Sequence, residues 1–169
     1  MANDIASKIR KYRRSGVLVD TNLLLVYFVG LYDSVTGYRL VNTFKYTKGD
    51  YGVGDFDVLL AFLKEFDVLV TTPHILAEVS NSIVGELTDP AKDLCVGLIQ
   101  ETIPTFQEHY VPAKDLLAEE QFRTYGVADV GILRTAAGRY LVLTDDYSLS
   151  SYLNKIGIDT ISLPEIKYA

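Results

Sequence analysis

A chain of 169 residues, 49% hydrophobic and 22% charged, has the makeup of one globular domain with a sizeable core, spanning residues 1–169. Its net charge of −6 counts against a passive, non-specific nucleic-acid binder, because affinity for phosphate grows with Lys and Arg contacts. A nuclease whose carboxylates hold divalent cations escapes that exclusion, since bound ions reverse the local charge. With one Cys and two His, a disulfide framework and a Cys/His zinc site are excluded, which fits a reducing cytoplasm. The N-terminus shows no apolar signal segment, and no apolar run is long enough to cross a bilayer, so a cytoplasmic protein with no membrane partner is expected.

In chain order, residues 3–14 read as a short amphipathic helix with Ile5, Ile9 and Tyr12 at helical spacing. It opens a basic N-terminal segment over residues 1–15. Lys8, Arg10, Lys11, Arg13 and Arg14 form the densest positive cluster in the chain. A solvated face explains them best, and a phosphate-contacting arm is the sharper alternative. Val17-Leu18-Val19 then reads as a buried strand that stops abruptly in Asp20-Thr21-Asn22. Thr21 or Asn22 is a good N-cap for the apolar helix expected over 22–32. Asp20 therefore sits at the carboxyl end of a strand, either as a plain helix cap or as a functional acid.

Residues 33–54 carry Gly37, Gly49, Gly52 and Gly54 among Tyr, Thr and Lys. That is too long for an ordinary connection and reads as an insertion, with a hairpin expected through Tyr38–Tyr46. Residues 55–66 look helical with an Asp cap, and 68–72 form a second buried strand. Pro73 opens a helix at its first position and places Glu78 in the second turn. Residues 91–102 and 113–122 are further helices, broken by Pro104 and Pro112, and Cys95 reads as a small core residue. Gly126-Val127-Ala128-Asp129 starts another helix. Tyr140 to Thr144 is a third buried strand ending in Asp145-Asp146, followed by a helix from Tyr147 to Ile156 and a last strand over 158–163. Alternating strands and helices predict a three-layer α/β/α sandwich with a mainly parallel sheet.

Two strands thus end in acids, and two helices present acids in their early turns. In open parallel sheets ligands bind at the carboxyl edge. Asp20, Glu78, Asp129 and the Asp145-Asp146 pair would converge there. Each has a plain explanation alone, as a cap or a solvated helix residue. As a set of hard oxygen donors they suit Mg²⁺ or Mn²⁺ rather than zinc or copper. No glycine-rich phosphate loop and no nucleophile elbow is present. His74, beside Pro73, reads as solvated at a helix start, and His109 lies in a loop near Pro112.

The ordered set resembles the PIN-domain nucleases. The resemblance rests on Val17-Leu18-Val19-Asp20-Thr21-Asn22, Thr72-Pro73-His74-Ile75-Leu76-Ala77-Glu78-Val79, Val127-Ala128-Asp129-Val130-Gly131-Ile132 and Leu143-Thr144-Asp145-Asp146-Tyr147-Ser148-Leu149. It implies Asp20, Glu78, Asp129 and one acid of the Asp145-Asp146 pair around the metal, with Asp146 favoured. It also implies Thr21 or Asn22 holding Asp20 by hydrogen bonds. The implied activity is a metal-dependent endoribonuclease on single-stranded RNA. Its role is either the toxin of a toxin–antitoxin pair, with a small antitoxin as partner, or RNA processing. Family members often form homodimers. The 33–54 insertion departs from compact toxins of the family. Arg123, Arg134, Lys45 and Lys48 are candidate RNA guides from charge alone. The competing expectations are a non-catalytic PIN-like scaffold binding RNA or protein and, more remotely, a receiver-type or phosphatase domain, for which Lys167 lies too far into the tail.

Overall fold

The computed structural model describes residues 2–168. Five short strands form one all-parallel sheet: β1 (Val17–Val19), β2 (Leu69–Thr71), β3 (Gln107–Glu108), β4 (Leu141–Leu143) and β5 (Thr160–Ile161), in the order β3-β2-β1-β4-β5. Parallel neighbours require crossovers, and helices supply them. They are α1 (Ala2–Tyr12), α2 (Thr21–Thr36), α3 (Val53–Leu63), α4 (Pro73–Glu86), α5 (Ala91–Thr102), α6 (Ala113–Leu117), α7 (Phe122–Ala136), α8 (Tyr147–Lys155) and α9 (Leu163–Lys167). The expected α/β class with a parallel sheet is therefore what the chain adopts.

The core explains why the strands are short. All three residues of β1 and of β4 are fully buried, as a strand covered on both faces must be. Helix α2 buries every position from Leu23 to Gly30. Gly30 permits the close approach of α3, since a Cβ there would stand 2.1 Å from the Phe56 ring. Register fixes the site: Leu18 pairs with Val70 on one side and Val142 on the other, and Val19 pairs with Leu143, so β1 and β4 end level with one another.

The strand order places a topological switch point between β1 and β4. The chain leaves β1 toward β2 and β3, then returns to build β4 and β5 on the other side. Loops diverging from that point leave a crevice at the carboxyl edge, where such sheets bind ligands.

Several local expectations differ from the structure. The 33–54 segment forms no hairpin. It follows the end of α2 with a 3₁₀ turn over Leu40–Asn42 and a series of turns. It is ordered from beneath: Asp33 accepts the Leu40 and Val41 backbone N–H groups at 2.6 and 3.0 Å, and Val41, Phe44 and Thr47 are buried. The α3 cap is Gly52 rather than Asp55, whose carboxylate accepts the Gly52 N–H at 2.8 Å. The α6 helix ends at Leu117, five residues before the expected stop. The basic face of α1 is largely solvated, with Arg10, Arg13 and Arg14 exposed, while Lys11 and the Tyr12 hydroxyl tie the helix to Asp159.

Candidate functional site

Asp20 follows directly on β1 and is the N-cap of α2, so helix start and strand end meet in one residue. The helix begins one residue earlier than expected, at Thr21. Asp20 is 5% exposed, and its backbone N–H donates to the Leu143 carbonyl at 3.0 Å, locking it against β4. Its Oδ1 accepts the Thr21 N–H at 2.6 Å, and its Oδ2 accepts the Thr144 hydroxyl at 2.6 Å. The side chain that holds Asp20 is thus Thr144. Thr21 contributes only its backbone to Asp20 and gives its hydroxyl to Glu78 Oε2 at 2.7 Å. Asn22 is exposed, and no side-chain hydrogen bond of it to Asp20 occurs.

Thr144 was invisible as a site residue because its partner lies 124 positions away. The signal available was its place immediately before two acids at a strand end. It is fully buried, and its oxygen also accepts the Asp146 backbone N–H at 3.1 Å. One hydroxyl therefore ties the β1 acid to the β4 loop.

The two acids after β4 separate cleanly. Asp146 caps α8, with Oδ1 accepting the Leu149 N–H at 2.8 Å, and its carboxylate lies in the electrostatic field of Asp20 and Asp129. Asp145 spends both oxygens elsewhere. Oδ1 accepts the Leu163 N–H at 2.7 Å and Oδ2 accepts the Tyr51 hydroxyl at 2.9 Å. Burial and that carboxylate hold the Tyr51 phenol well above its ordinary range, so it remains a donor. Asp145 thus ties the 33–54 segment and α9 to the end of β4.

Asp129 reaches the same edge from α7. Gly126, at φ +82°, kinks that element and restarts the helix at Val127, which leaves Asp129 in a first turn. Asp129 is half-buried. Burial pushes its carboxyl up to about 7, and Asp20, Asp146 and Glu78 add their repulsion. Burial also raises Asp20, partly offset by its hydrogen bonds to Thr144 and Thr21, while Asp146 and Glu78 add to the rise. Glu78 stands exposed on α4, whose cap is Thr72 and whose first residue is Pro73, as its sequence requires.

Asp20, Glu78, Asp129 and Asp146 are therefore electrostatic neighbours drawn from four separate stretches. Among the described residues, no ion pair involves any of them. Nor is any group of three or more His, Cys, Asp or Glu among the described residues drawn close enough to hold a metal ion. The donor chemistry suits a hard divalent cation: carboxylate oxygens, unneutralised charge and one acid at the brink of protonation.

Two open pockets flank the acids. One, of about 480 Å³, runs past Asp146 to Tyr51 and Tyr168; the other, of about 350 Å³, lies beside Glu78 and Thr21, and Asn22 borders both. Of the basic residues marked from charge alone, Lys45 pairs with Glu86 and Arg134 with Glu119. His74 is not solvated as expected: its Nδ1 is buried with no hydrogen-bond partner. His109 Nε2 lies 2.7 Å from the Tyr140 hydroxyl. Cys95 is buried, which raises its thiol to about 11 and keeps it unreactive. No helix of the described residues is long and apolar enough to cross a membrane.

Fold and site together define an α/β domain with an acid-lined crevice at the switch point of a parallel sheet. No protein-family model and no curated protein matches the chain.

Proposed function

We propose that this chain is a metal-dependent endoribonuclease acting on single-stranded RNA, built as a PIN-like α/β/α sandwich. The observation that carries the reading is the mutual repulsion of Asp20, Glu78, Asp129 and Asp146 at the β1/β4 crevice, with no ion pair to any of them among the described residues. Charge of one sign gathered at a ligand-binding edge, partly out of water, is costly unless something positive joins it. Those four carboxylates would hold Mg²⁺ or Mn²⁺, with Asp145 serving as a strut outside the set.

A divalent cation bound there supplies charge neutralisation for a phosphodiester and a water of lowered pKa. The protein's own part is placement. Thr144 and the Thr21 N–H hold both oxygens of Asp20, and the Thr21 hydroxyl holds Glu78. The Asp146 cap fixes its carboxylate at the start of α8. Burial between β1 and β4 limits water around Asp20. The pockets on either side of Asn22 give an extended strand a route across the acids, and aromatic rings at Tyr168 and Tyr46 offer stacking surfaces for unpaired bases. A toxin role with a small antitoxin partner, and a homodimer, rest on the family resemblance alone.

One observation favours the second reading, a non-catalytic scaffold: among the described residues the acids are not drawn together closely enough to hold a metal ion. Cleavage of an end-labelled single-stranded RNA in Mg²⁺ or Mn²⁺, with and without EDTA, separates the two. The nuclease reading expects metal-dependent cutting that falls at least about a hundredfold in Asp20→Asn. No cutting in either metal moves the assignment to the scaffold, and cutting that survives in Asp20→Asn removes Asp20 from the chemistry.

A further inference from the structure

A third pocket, lined by different residues, has the opposite character. It encloses about 400 Å³ and is lined by His109, Tyr110, Val111, Arg134, Thr135 and Arg139. That volume lies within the range of small-ligand sites. In a chain with 22 Asp and Glu against 16 Lys and Arg, no carboxylate lines it. Arg139 is exposed and enters no ion pair among the described residues. Arg134 meets Glu119 through one nitrogen at 3.2 Å, which leaves further guanidinium N–H groups to donate.

Two more features point to a ligand. Thr135 is 4% exposed, and its hydroxyl is buried with no hydrogen-bond partner, an uncommon state for a polar atom in a folded core. His109 Nε2 sits 2.8 Å from the Gln107 amide nitrogen and 2.7 Å from the Tyr140 hydroxyl. Those two neighbours hold the His109 ring in orientation at the pocket wall. The site thus combines two guanidinium groups and an oriented imidazole beside a buried, unpaired hydroxyl. Glu119 takes one Arg134 nitrogen, and the remaining guanidinium N–H groups are suited to a compact, oxygen-rich dianion.

We infer that this pocket binds a phosphate group, carried either by a small phosphate ester or by an RNA backbone. Arg139 and Arg134 supply the charge, and His109 stands oriented at the pocket wall. Arg134 and Thr135 follow Asp129 by five and six residues on the same helix, α7. The inference stands independently of catalysis at the acids.

Inorganic phosphate titrated into the full chain, followed by ¹H–¹⁵N NMR of the His109 ring and the arginine side chains, tests it. Chloride at matched ionic strength is the control. The expected result is saturable shifts at His109 and Arg139 with phosphate only. These weaken about tenfold in Arg139→Gln, weaken less in Arg139→Lys and are unchanged in Asp20→Asn. A parallel arm measures binding of a labelled single-stranded RNA in EDTA across a salt series. If the source is RNA, Arg139→Gln weakens binding several-fold and lowers the salt slope by about 0.7. If RNA binding is unchanged while phosphate still binds, the ligand is a small phosphate ester. Absence of phosphate-specific shifts in the wild type, or equal shifts in Arg139→Gln with its fold intact by circular dichroism, overturns the inference.

Discussion

Asp20 and Asp33 lie on the same stretch of chain, are 5% and 8% exposed, and each accept two hydrogen bonds, yet they do different things. Asp33 takes two backbone N–H groups from a turn it organises, so its charge is spent on folding the 33–54 segment. Asp20 takes one backbone N–H and one hydroxyl, while Asp146, Glu78 and Asp129 crowd it with charge of the same sign. Burial alone therefore does not mark a functional acid. The distinction lies in what surrounds it: Asp33 stabilises the fold through the two N–H groups it accepts, whereas the charge of Asp20 is opposed by its neighbours.

The largest expected effect tests the structural half of that comparison. Asp33→Ala leaves the Leu40 and Val41 N–H groups unpaired near a buried turn, at about 1–3 kcal/mol each. A loss of roughly 2–5 kcal/mol by urea denaturation is expected, against about 1 kcal/mol or less for Asp20→Asn. Equal losses in the two variants would erase the contrast.

Next comes the positioning of Asp20. Thr144→Val keeps the shape of a fully buried side chain but removes the hydroxyl shared by Asp20 and the Asp146 backbone. RNA cleavage is expected to fall about 10–100-fold, with Thr144→Ser restoring most of it. Apparent Mg²⁺ affinity should weaken in parallel, a readout that a purely structural role would leave alone. Full activity in Thr144→Val would show that Asp20 does not need this support.

The smallest effect concerns the acid at the brink. Asp129 is pushed up to about 7 from an ordinary value near 4, so the folded protein binds a proton that the unfolded chain has released. The metal-free protein should therefore lose stability as pH rises from about 4 to 7 and level off above that. Asp129→Asn escapes this penalty. Its melting temperature should exceed the wild type by about 2–4 °C at pH 8, corresponding to roughly 1 kcal/mol after solvent screening of a half-buried group, and the gap should close toward pH 4. A gap independent of pH would mean that Asp129 titrates normally.

Much of this was readable before any coordinates. The runs Val17–Val19, Leu69–Thr71 and Leu141–Leu143 are short, apolar and bounded by polar residues, which reads as buried strands, and the first and last of them lead into acids. Pro73 and Gly126 each fixed a helix start, and with it the turn on which Glu78 and Asp129 appear. The two-residue strand β3 is exposed and too short to carry a pattern, so it was not legible. The short helix α9 was also missed, although Ser162 and Glu165 cap each other as a capping box does.

Local periodicity and capping encode the alternation of strands and helices and the position of each acid along its own element. Three-dimensional packing sets which acids meet, that Asp146 lies in the field of Asp20 while Asp145 binds Leu163 and Tyr51, that Thr144 holds Asp20, and that Asp33 serves a turn. Each of those rests on a hydrogen bond or charge between residues distant in the chain. Strand order and register set such pairings, and no local pattern encodes them.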